Sequence, residues 1–275
     1  MAVRNPLPAA HGPRYTDLAC PRMCILVRSH KLKGPTVDRP YHHLFYSTET
    51  HGGRLHLTAD EARHATRVLR LSPGDELWAT DGAGAVYHCR LADTSTEGAA
   101  CEIIDITRHD RSPPCVDIYV GLPDRDAFEW LIDAATPLGV RRIVPIVCAR
   151  SQHPWWRTKW DKLRDRFTRK MTVAVKQALH PFLPELAAPV ELDKAVSLLR
   201  GEAVVADEQG IGLRELSRDI CSADTLSAFV GPPGGFTSDE LRLLHDYPAQ
   251  AVRLSPNRLR TELAAVLLCG MLLAP

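Results

Sequence analysis

The spacing of apolar residues divides the chain into two regions with different patterns. From residue 43 onward the apolar runs are short and strand-like, as in Glu76–Thr80 and Ala85–Leu91. The tight turn Asp81-Gly82-Ala83-Gly84 joins these two runs, as in an antiparallel hairpin. A further strand is expected at 101–106. The pattern predicts a small β-barrel over residues 43–112, a shape common among RNA-binding domains.

One helix interrupts these strands, and its start has a capping signal. Thr58 precedes the helix and Glu61 lies three residues later, so Thr58 would cap the helix and Glu61 would complete a capping box. Ala62, Ala65 and Leu69 then recur on one face, while arginines occupy much of the rest. We expect the apolar face to pack on the barrel and the basic residues to meet solvent.

After Ser112-Pro113-Pro114 the pattern changes to alternating strands and longer helices. Val116–Leu122 is continuously apolar, and Phe128, Leu131 and Ile132 then repeat at helical spacing. Strand–helix alternation predicts an α/β region over 115–275, with a parallel sheet covered by helices. The other elements predicted on this basis are strands at 142–148, 203–207, 226–231 and 251–254, and helices at 126–136, from 158 onward, at 238–245 and at 259–273.

Composition is that of a folded protein and does not by itself indicate a nucleic-acid partner. The 275 residues are 45% hydrophobic and 24% charged, with a net charge of +1. This length accommodates two domains. Because the overall charge is nearly balanced, any RNA contact would require local basic patches.

Residues 1–42 differ from the rest, because they are basic, rich in proline and without sustained periodicity. They predict a disordered basic extension. Two interpretations stay open: an RNA-contacting or organellar targeting segment, or a dispensable extension, for example one that precedes a true start at Met23.

The eight cysteines do not form a metal-binding pattern. Cys20 and Cys24 are the only close pair, whereas a zinc site needs four convergent ligands. Cys148 and Cys269 lie inside apolar runs and are expected to be buried, which suits a reducing compartment. The most apolar run, Leu263–Ala274, is shorter than the roughly 20 residues that a membrane span requires. We expect a cytoplasmic protein with no metal and no membrane partner.

A glycine-rich loop follows an apolar strand and precedes a capped helix. The stretch Phe229–Thr237 is Phe-Val-Gly-Pro-Pro-Gly-Gly-Phe-Thr. Gly234 and Gly235 allow positive φ and close approach of a ligand to the backbone. The loop lacks the Lys-Ser/Thr of a phosphate-binding P-loop, and it is not Gly-x-Gly-x-x-Gly. By spacing alone it is weak evidence for a ligand site.

A second motif, Leu254–Ala265, places charged residues at the mouth of an apolar helix. Arg260 and Glu262 flank Thr261 there. Burying such charges costs free energy unless they are paired. The motif fits either a surface helix start, in which Glu262 favours the helix dipole, or a functional site.

Together the two motifs resemble those of the SPOUT-class RNA methyltransferases that methylate N3 of a uridine in small-subunit (16S) ribosomal RNA. In that family a GPxGGF loop after a strand is followed by LRTE at the start of a C-terminal apolar helix. The resemblance covers nearly the whole chain after residue 43. Further matching segments are His64 with Val68–Leu71, Leu138-Gly139-Val140, Arg150-Ser151, and Gln177 with the later Pro184.

The resemblance implies an N-terminal PUA-like β-barrel and a C-terminal α/β methyltransferase domain with a deep trefoil knot. It also implies a homodimer that binds S-adenosylmethionine. Carried over residue by residue, the cofactor-binding positions are Val230, Gly231, Pro232, Gly234, Gly235, Leu254, Leu259, Arg260 and Thr261.

Arg260 is the expected catalytic cation, with Glu262 orienting it. A positive charge beside the uracil oxygens would lower the pKa of N3 and stabilise the developing anion. The target base must be unstacked, so we expect structured rRNA or the small ribosomal subunit as substrate. Candidate RNA contacts, each of which would otherwise be a solvated surface charge, are Arg63, Arg67, Arg70, Arg150, Lys159, Lys162, Arg166, Arg169 and Lys170.

Several polar positions depart from the family pattern. Pro233 replaces the Glu of Gly-Pro-Glu-Gly-Gly and removes a backbone donor. Pro137 and Lys176 also replace glutamates, Ser255 replaces a Gly, and Leu263 replaces a Thr. Three functions therefore stay open: methylation of the family's uridine, rRNA binding or ribosome assembly by a paralogue without catalysis, and methylation of a different RNA. The N-terminal barrel argues against the third.

Overall fold

The computed structural model describes residues 40–274 except 153, 200, 213–214, 217–219, 221 and 248. The described chain contains a six-stranded sheet within residues 45–108 and a seven-stranded sheet within 115–253. The change from one sheet to the other falls at the predicted proline linker. Most of the predicted basic extension, residues 1–39, lies outside the described residues.

The first sheet is antiparallel apart from its short first strand, which pairs in parallel. Leu55, Leu77 and Leu91 lie in its buried core. The strand order is β1-β4-β5-β6-β3-β2, with the bounds β1 (Phe45–Tyr46), β2 (Glu49–His51), β3 (Arg54–Thr58), β4 (Glu76–Thr80), β5 (Ala85–Thr94) and β6 (Gly98–Arg108).

The helix of this region begins as predicted, but its capping box is only half formed. Helix α1 spans Ala59–Arg63 and continues as one π-helical turn over His64–Val68. The Thr58 side chain accepts a hydrogen bond from the Glu61 N–H. The Glu61 carboxylate does not return to the cap, because it accepts the N–H of Tyr46 and pairs with a lysine far along the chain. The capping-box prediction was therefore wrong for Glu61.

The second sheet is parallel throughout. Residues such as Ile118 and Phe229 are fully buried, because a parallel sheet covered on both faces needs apolar side chains on both. The predicted trefoil knot stays a prediction. The strand order is β10-β8-β7-β12-β11-β13, with β9 beside β8, and the bounds are β7 (Cys115–Gly121), β8 (Arg142–Val147), β9 (Glu185–Leu186), β10 (Val190–Glu191), β11 (Glu202–Gly212), β12 (Thr225–Val230) and β13 (Gln250–Arg253).

Four helices of the second region lie where they were predicted, two of them with corrected starts, whereas the short helix α4 was not predicted. The third helix begins at Trp155 rather than Thr158, because the Trp155 ring packs beside Phe128 and its indole N–H donates to the Pro123 carbonyl at 3.0 Å. The last helix begins at Thr261 rather than Leu259. The bounds are α2 (Arg125–Ala135), α3 (Trp155–Gln177), α4 (Leu192–Ser197), α5 (Ser238–Asp246) and α6 (Thr261–Leu273).

Strand β11 is longer than the predicted 203–207 and carries a bulge. Its pairing with β13 shifts register between Ala206 and Ile211, so the intervening residues leave the regular ladder. Gly210 is required within the bulge, because a Cβ there would lie 2.5 Å from the Val252 nitrogen. A bulge beside a strand end redirects side chains, and here it forms one wall of the candidate site.

Two predicted properties of the core can be compared with the structure. Cys148 and Cys269 are buried, as predicted, and burial raises the pKa of the Cys269 thiol to about 12. Among the described residues, no helix is long and apolar enough to cross a membrane, and no cluster of three His, Cys, Asp or Glu side chains is arranged to hold a metal ion.

Candidate functional site

A cavity of about 370 Å³ opens beside the carboxyl ends of β12, β11 and β13. Ligands bind at this end of parallel sheets because the loops there leave crevices. One wall is the glycine loop 231–236, a second is the β11 bulge, and a third is the segment 254–261 that leads into α6.

The glycine loop makes a tight turn at Gly235, whereas Gly234 does not adopt the positive φ expected from the sequence. The Gly235 N–H donates to the Pro232 carbonyl at 2.7 Å, and Gly235 has φ of +70°. The loop also crosses the end of β7 very closely. A Cβ on Gly121 would lie 2.2 Å from the Pro232 nitrogen, so no larger residue fits there without displacing the loop.

Three side chains from different elements hold this loop. The Thr261 hydroxyl at the start of α6 donates to the Gly231 carbonyl at 3.0 Å. The Arg150 guanidinium, beyond the end of β8, donates to the Gly234 carbonyl at 2.9 Å. Arg258 donates to the Pro233 carbonyl at 3.3 Å. These hydrogen bonds tie the loop to three other segments of the domain.

The far end of the loop is fixed by a complete capping box. The Thr237 hydroxyl accepts the N–H of Glu240, and the Glu240 carboxylate accepts the N–H of Thr237 at 2.7 Å. The same carboxylate accepts the N–H of Ala149 at 2.7 Å. Glu240 therefore ties α5 to the segment that carries Arg150.

Eight of the nine predicted cofactor positions line the cavity, and Arg260 does not. The Arg260 side chain is 85% exposed, and its Nε lies 3.2 Å from an oxygen of Glu262, which is only 8% exposed. The predicted pairing of these two residues is present, whereas their catalytic role stays a prediction. The eight lining residues are Val230, Gly231, Pro232, Gly234, Gly235, Leu254, Leu259 and Thr261.

Sequence reasoning missed the charged residues of the cavity wall. Asp207 and Glu208 lie on the β11 bulge and line the cavity together with Arg258, whose Nε is 3.9 Å from the Glu208 carboxylate. Arg150 was predicted as an RNA contact but lines the same cavity. The available signal was position: Asp207 and Glu208 follow the apolar start of a parallel strand, where ligand-facing residues gather.

The predicted RNA contacts on the barrel helix are exposed. Arg63, Arg67 and Arg70 all reach solvent, although Arg63 also lies 3.0 Å from Asp60. Arg70 has φ of +59°, a conformation that is unusual for a residue with a side chain and often occurs at functional positions.

The predicted contacts on α3 fall into two groups. Arg166 and Lys170 approach a buried carboxylate, that of Glu129, at 3.0 and 3.8 Å. Their charge is therefore partly neutralised within the protein. The remaining members of the set face solvent: Lys159, Lys162 and Arg169.

A second cavity, of about 750 Å³, lies at the opposite, amino end of the parallel sheet. It is lined by the paired residues Asp117 and Arg141 and by Tyr119 among others. None of the predicted site residues lines it, so the glycine-loop cavity is the candidate site.

Comparison with known proteins gives a consistent result for both regions. A family model described as an RNA methyltransferase domain matches residues 110–273, and one described as an RNA methyltransferase PUA domain matches 57–104. The chain is 29% identical over 232 residues to ribosomal RNA small subunit methyltransferase E of Aquifex aeolicus, covering 84% of this chain and 99% of that one. The protein of the same name from Bacillus subtilis is 28% identical over 218 residues, covering 76% and 85%.

The fold also matches a solved structure. A ribosomal RNA small subunit methyltransferase E from Neisseria gonorrhoeae, bound to S-adenosyl methionine, superposes with a TM-score of 0.73. It is 22% identical in sequence, and the match covers 83% of this chain and 95% of that one.

Proposed function

Because the chain belongs to the RNA methyltransferase family, we propose that it methylates N3 of a specific uridine in small-subunit (16S) ribosomal RNA, with S-adenosylmethionine as methyl donor. The observation that carries the proposal is the glycine-loop cavity, which eight predicted cofactor positions line. The similarity to small-subunit rRNA methyltransferases, which covers 84% and 76% of this chain for the two relatives, supports the substrate.

The residues of the cavity fit S-adenosylmethionine in size and chemistry. About 370 Å³ lies within the range of small-molecule sites. Val230, Leu254 and Leu259 offer apolar surface to an adenine, and the backbone of the loop offers polar groups to its edge. Asp207 and Glu208 line the cavity and provide negative charge for the cationic methionine end. When bound, the cofactor supplies an electrophilic methyl group.

The protein must orient the uracil and assist the loss of its N3 proton. A cation beside the uracil oxygens favours the deprotonated base. We assign this role to Arg260, which is exposed and held by Glu262 next to the cavity wall at Thr261. Positioning of the two reactants within a fixed site supplies much of the remaining rate enhancement.

Contact with rRNA is assigned to the exposed basic residues of α1 and α3. Arg63, Arg67 and Arg70 on the barrel, with Lys159 and Arg169 on α3, are solvent-accessible and can neutralise phosphates. We place the reaction in the cytoplasm, where the proposed substrate would be encountered.

A second copy of the chain is the proposed partner of α6. This helix is apolar over almost its whole surface, so it requires burial on all sides. It packs on α2, yet Leu263 and Met271 of α6 and Trp130 of α2 are each more than two-fifths exposed. An exposed apolar face on two adjoining helices fits a self-complementary dimer contact. Trp130→Glu combined with Met271→Glu should convert a dimer to a monomer in sedimentation, whereas Val173→Glu, on another exposed face, should not.

Methyl transfer to ribosomal subunits tests the proposed function. Purified protein and labelled S-adenosylmethionine are incubated with small subunits that lack the modification, and the product is mapped by reverse transcription. We expect one new stop at a uridine, because a methyl on N3 blocks base pairing. Transfer to another RNA alone would favour a different target. Binding of rRNA without cofactor binding would favour a paralogue without catalysis, an outcome that the proline at 233 makes worth testing.

A further inference from the structure

A charged contact joins the barrel helix to the methyltransferase domain. The Lys176 ammonium at the end of α3 pairs with the Glu61 carboxylate of α1, 115 residues away in the chain. Both side chains are largely buried, with 20% and 13% exposed. Burial makes this pair differ from a surface salt bridge, because loss of either partner leaves the other charge without compensation.

Both oxygens of the Glu61 carboxylate have partners, of which the Lys176 ammonium is one. Its second oxygen accepts the backbone N–H of Tyr46 in β1, while Thr58 caps the helix that carries it. Glu61 therefore connects α1, β1 and α3 at one point. A glutamate at 176, the residue of the family pattern, would place two carboxylates together, whereas Lys176 is complementary.

Other contacts between the two domains do not involve this charge, and three of them are typical. The Thr80 hydroxyl donates to the Pro181 carbonyl at 3.0 Å, and the Leu183 N–H donates to the Gly82 carbonyl at 2.8 Å. The Arg111 guanidinium lies 4.4 Å from the centre of the Phe182 ring. These contacts hold the barrel turn 80–84 against the chain after α3, so the domains stay joined when the Lys176–Glu61 pair is removed.

The pair acts on the part of the barrel that carries the exposed arginines. Glu61 is the third residue of α1. The helix continues into the π-helical turn that contains Arg67, and Arg70 follows shortly after it. A π-helical turn in such a short helix is a feature that often accompanies functional sites. Helix α1 packs on β3 and β6 within the barrel, and the Lys176 pair adds a buried charged contact between α1 and the methyltransferase domain.

We propose that Lys176 is a positioning residue for the RNA substrate. Through Glu61 it sets α1, and with it Arg63, Arg67 and Arg70, at a fixed place relative to the cofactor cavity. This inference rests on the proposed function. It assigns Lys176 no contact with the RNA, the cofactor or the reacting atoms.

A charge-swap experiment on the full-length protein tests this inference. Lys176→Glu and Glu61→Lys are each expected to raise the KM for small subunits by about tenfold to a hundredfold. The kcat and the dissociation constant of S-adenosylmethionine should stay unchanged. The salt dependence of RNA affinity should weaken, because fewer phosphates are contacted. The double variant restores the ion pair with the two charges exchanged, so its KM and its salt dependence of RNA affinity should return to the wild-type values. Lys194→Glu is the control, since it makes the same charge change on exposed α4.

Each other outcome contradicts the inference. Unchanged KM and salt dependence in both single variants would show that the pair is not needed. A double variant as impaired as Lys176→Glu would mean that Lys176 meets the RNA itself. Loss of cofactor affinity in the single variants would contradict the inference, because the pair would then act on the cofactor cavity and not only on α1. If a single variant folds poorly, the test is the comparison of the double variant with wild type: a raised KM in a folded double variant would contradict the inference. If the wild type transfers no methyl group, the proposed function fails. The effect of the Lys176–Glu61 pair on RNA binding is then still tested, by comparing RNA affinity and its salt dependence in the single and double variants.

Discussion

The residues of the glycine-loop cavity and of the basic surfaces were both predicted from sequence, but only the first group is brought together in the structure. The cavity gathers eight predicted residues from two distant motifs into one place. The predicted RNA contacts are spread over α1 and α3, and Arg150, Arg166 and Lys170 are committed to contacts within the protein.

The difference comes from what each site requires of the backbone. The glycine loop needs particular residues because its main chain passes within van der Waals distance of β7 at Gly121. Such requirements leave a sequence pattern. A surface arginine requires only an exposed position, so sequence does not distinguish one that faces solvent from one that neutralises a buried carboxylate such as Glu129.

Gly121→Ala should have the largest effect, because it tests the requirement for close packing in the cavity. Its Cβ would lie 2.2 Å from the Pro232 nitrogen, so the loop must move. We expect no measurable S-adenosylmethionine binding by calorimetry and a loss of about 1–3 kcal/mol in the free energy of unfolding. Gly212→Ala is the control, since the atom nearest its Cβ is the end of the flexible Glu215 side chain. Equal cofactor affinity in Gly121→Ala and wild type would refute the requirement.

Replacing Arg63, Arg67 and Arg70 together by Gln should have the next largest effect, on the basic surface. Three lost phosphate contacts correspond to about a hundredfold weaker RNA binding at moderate salt, with a shallower dependence on salt. Cofactor affinity should not change. Arg166→Gln provides the contrast: because Arg166 faces Glu129, it should lower the free energy of unfolding by about 1–3 kcal/mol and leave the salt dependence nearly unchanged. A large change in salt dependence for Arg166→Gln alone would reverse the two assignments.

Asp207→Asn tests whether the Asp207 carboxylate in the cavity wall contacts the cationic end of S-adenosylmethionine. If this carboxylate balances the positive charge of S-adenosylmethionine, its neutralisation should weaken cofactor binding by about tenfold, a typical effect for a charge-assisted contact. Methylthioadenosine lacks the charged methionine end, so its affinity should be the same in both proteins. An equal loss for both ligands would place Asp207 elsewhere than at the cationic end.

Glu76→Gln should have the smallest effect and shows what an exposed charge contributes. A hydrogen bond from His88, and then one from Arg90, lower the pKa of the Glu76 carboxyl below its ordinary value. Because the folded pKa is lowered, this stabilisation is present above the unfolded pKa and is lost as pH falls through the folded pKa. Between neutral and strongly acidic pH, the melting temperature of wild type should therefore fall slightly more than that of Glu76→Gln. A larger fall in the variant would contradict the sign.

Local patterns predicted most of the fold, and the failures involve contacts between distant segments. Strand β4 and five of the parallel strands were located by their apolar runs, and α5 by Thr237 and Glu240, whereas the two-residue strands β9 and β10 were missed. Glu61 carries the same capping signal as Glu240, yet its carboxylate binds Tyr46 and Lys176. No local pattern contains the position of Lys176. The bulge of β11 was missed for the same reason, since it depends on the pairing with β13.

In the candidate site too, residues within a local sequence pattern were predicted, and residues brought in by distant segments were missed. Val230 through Gly235 were found because a strand, a turn and a capped helix adjoin along the chain. Asp207 and Glu208 were missed because they reach the cavity through the order β12-β11-β13, whereas Arg258 lies within the predicted motif and was not singled out there. Leu254 and Leu259 were assigned by resemblance to a family, since apolar residues alone do not indicate which cavity they line.

The central claim is that the glycine-loop cavity binds S-adenosylmethionine although proline stands at 233. Calorimetric titration of the purified wild-type protein with S-adenosylmethionine tests it most directly. We predict saturable binding of one cofactor per chain, which Gly121→Ala abolishes and Gly212→Ala preserves. Absence of binding by a folded wild-type protein would contradict the claim and leave the chain as an rRNA-binding protein without catalysis.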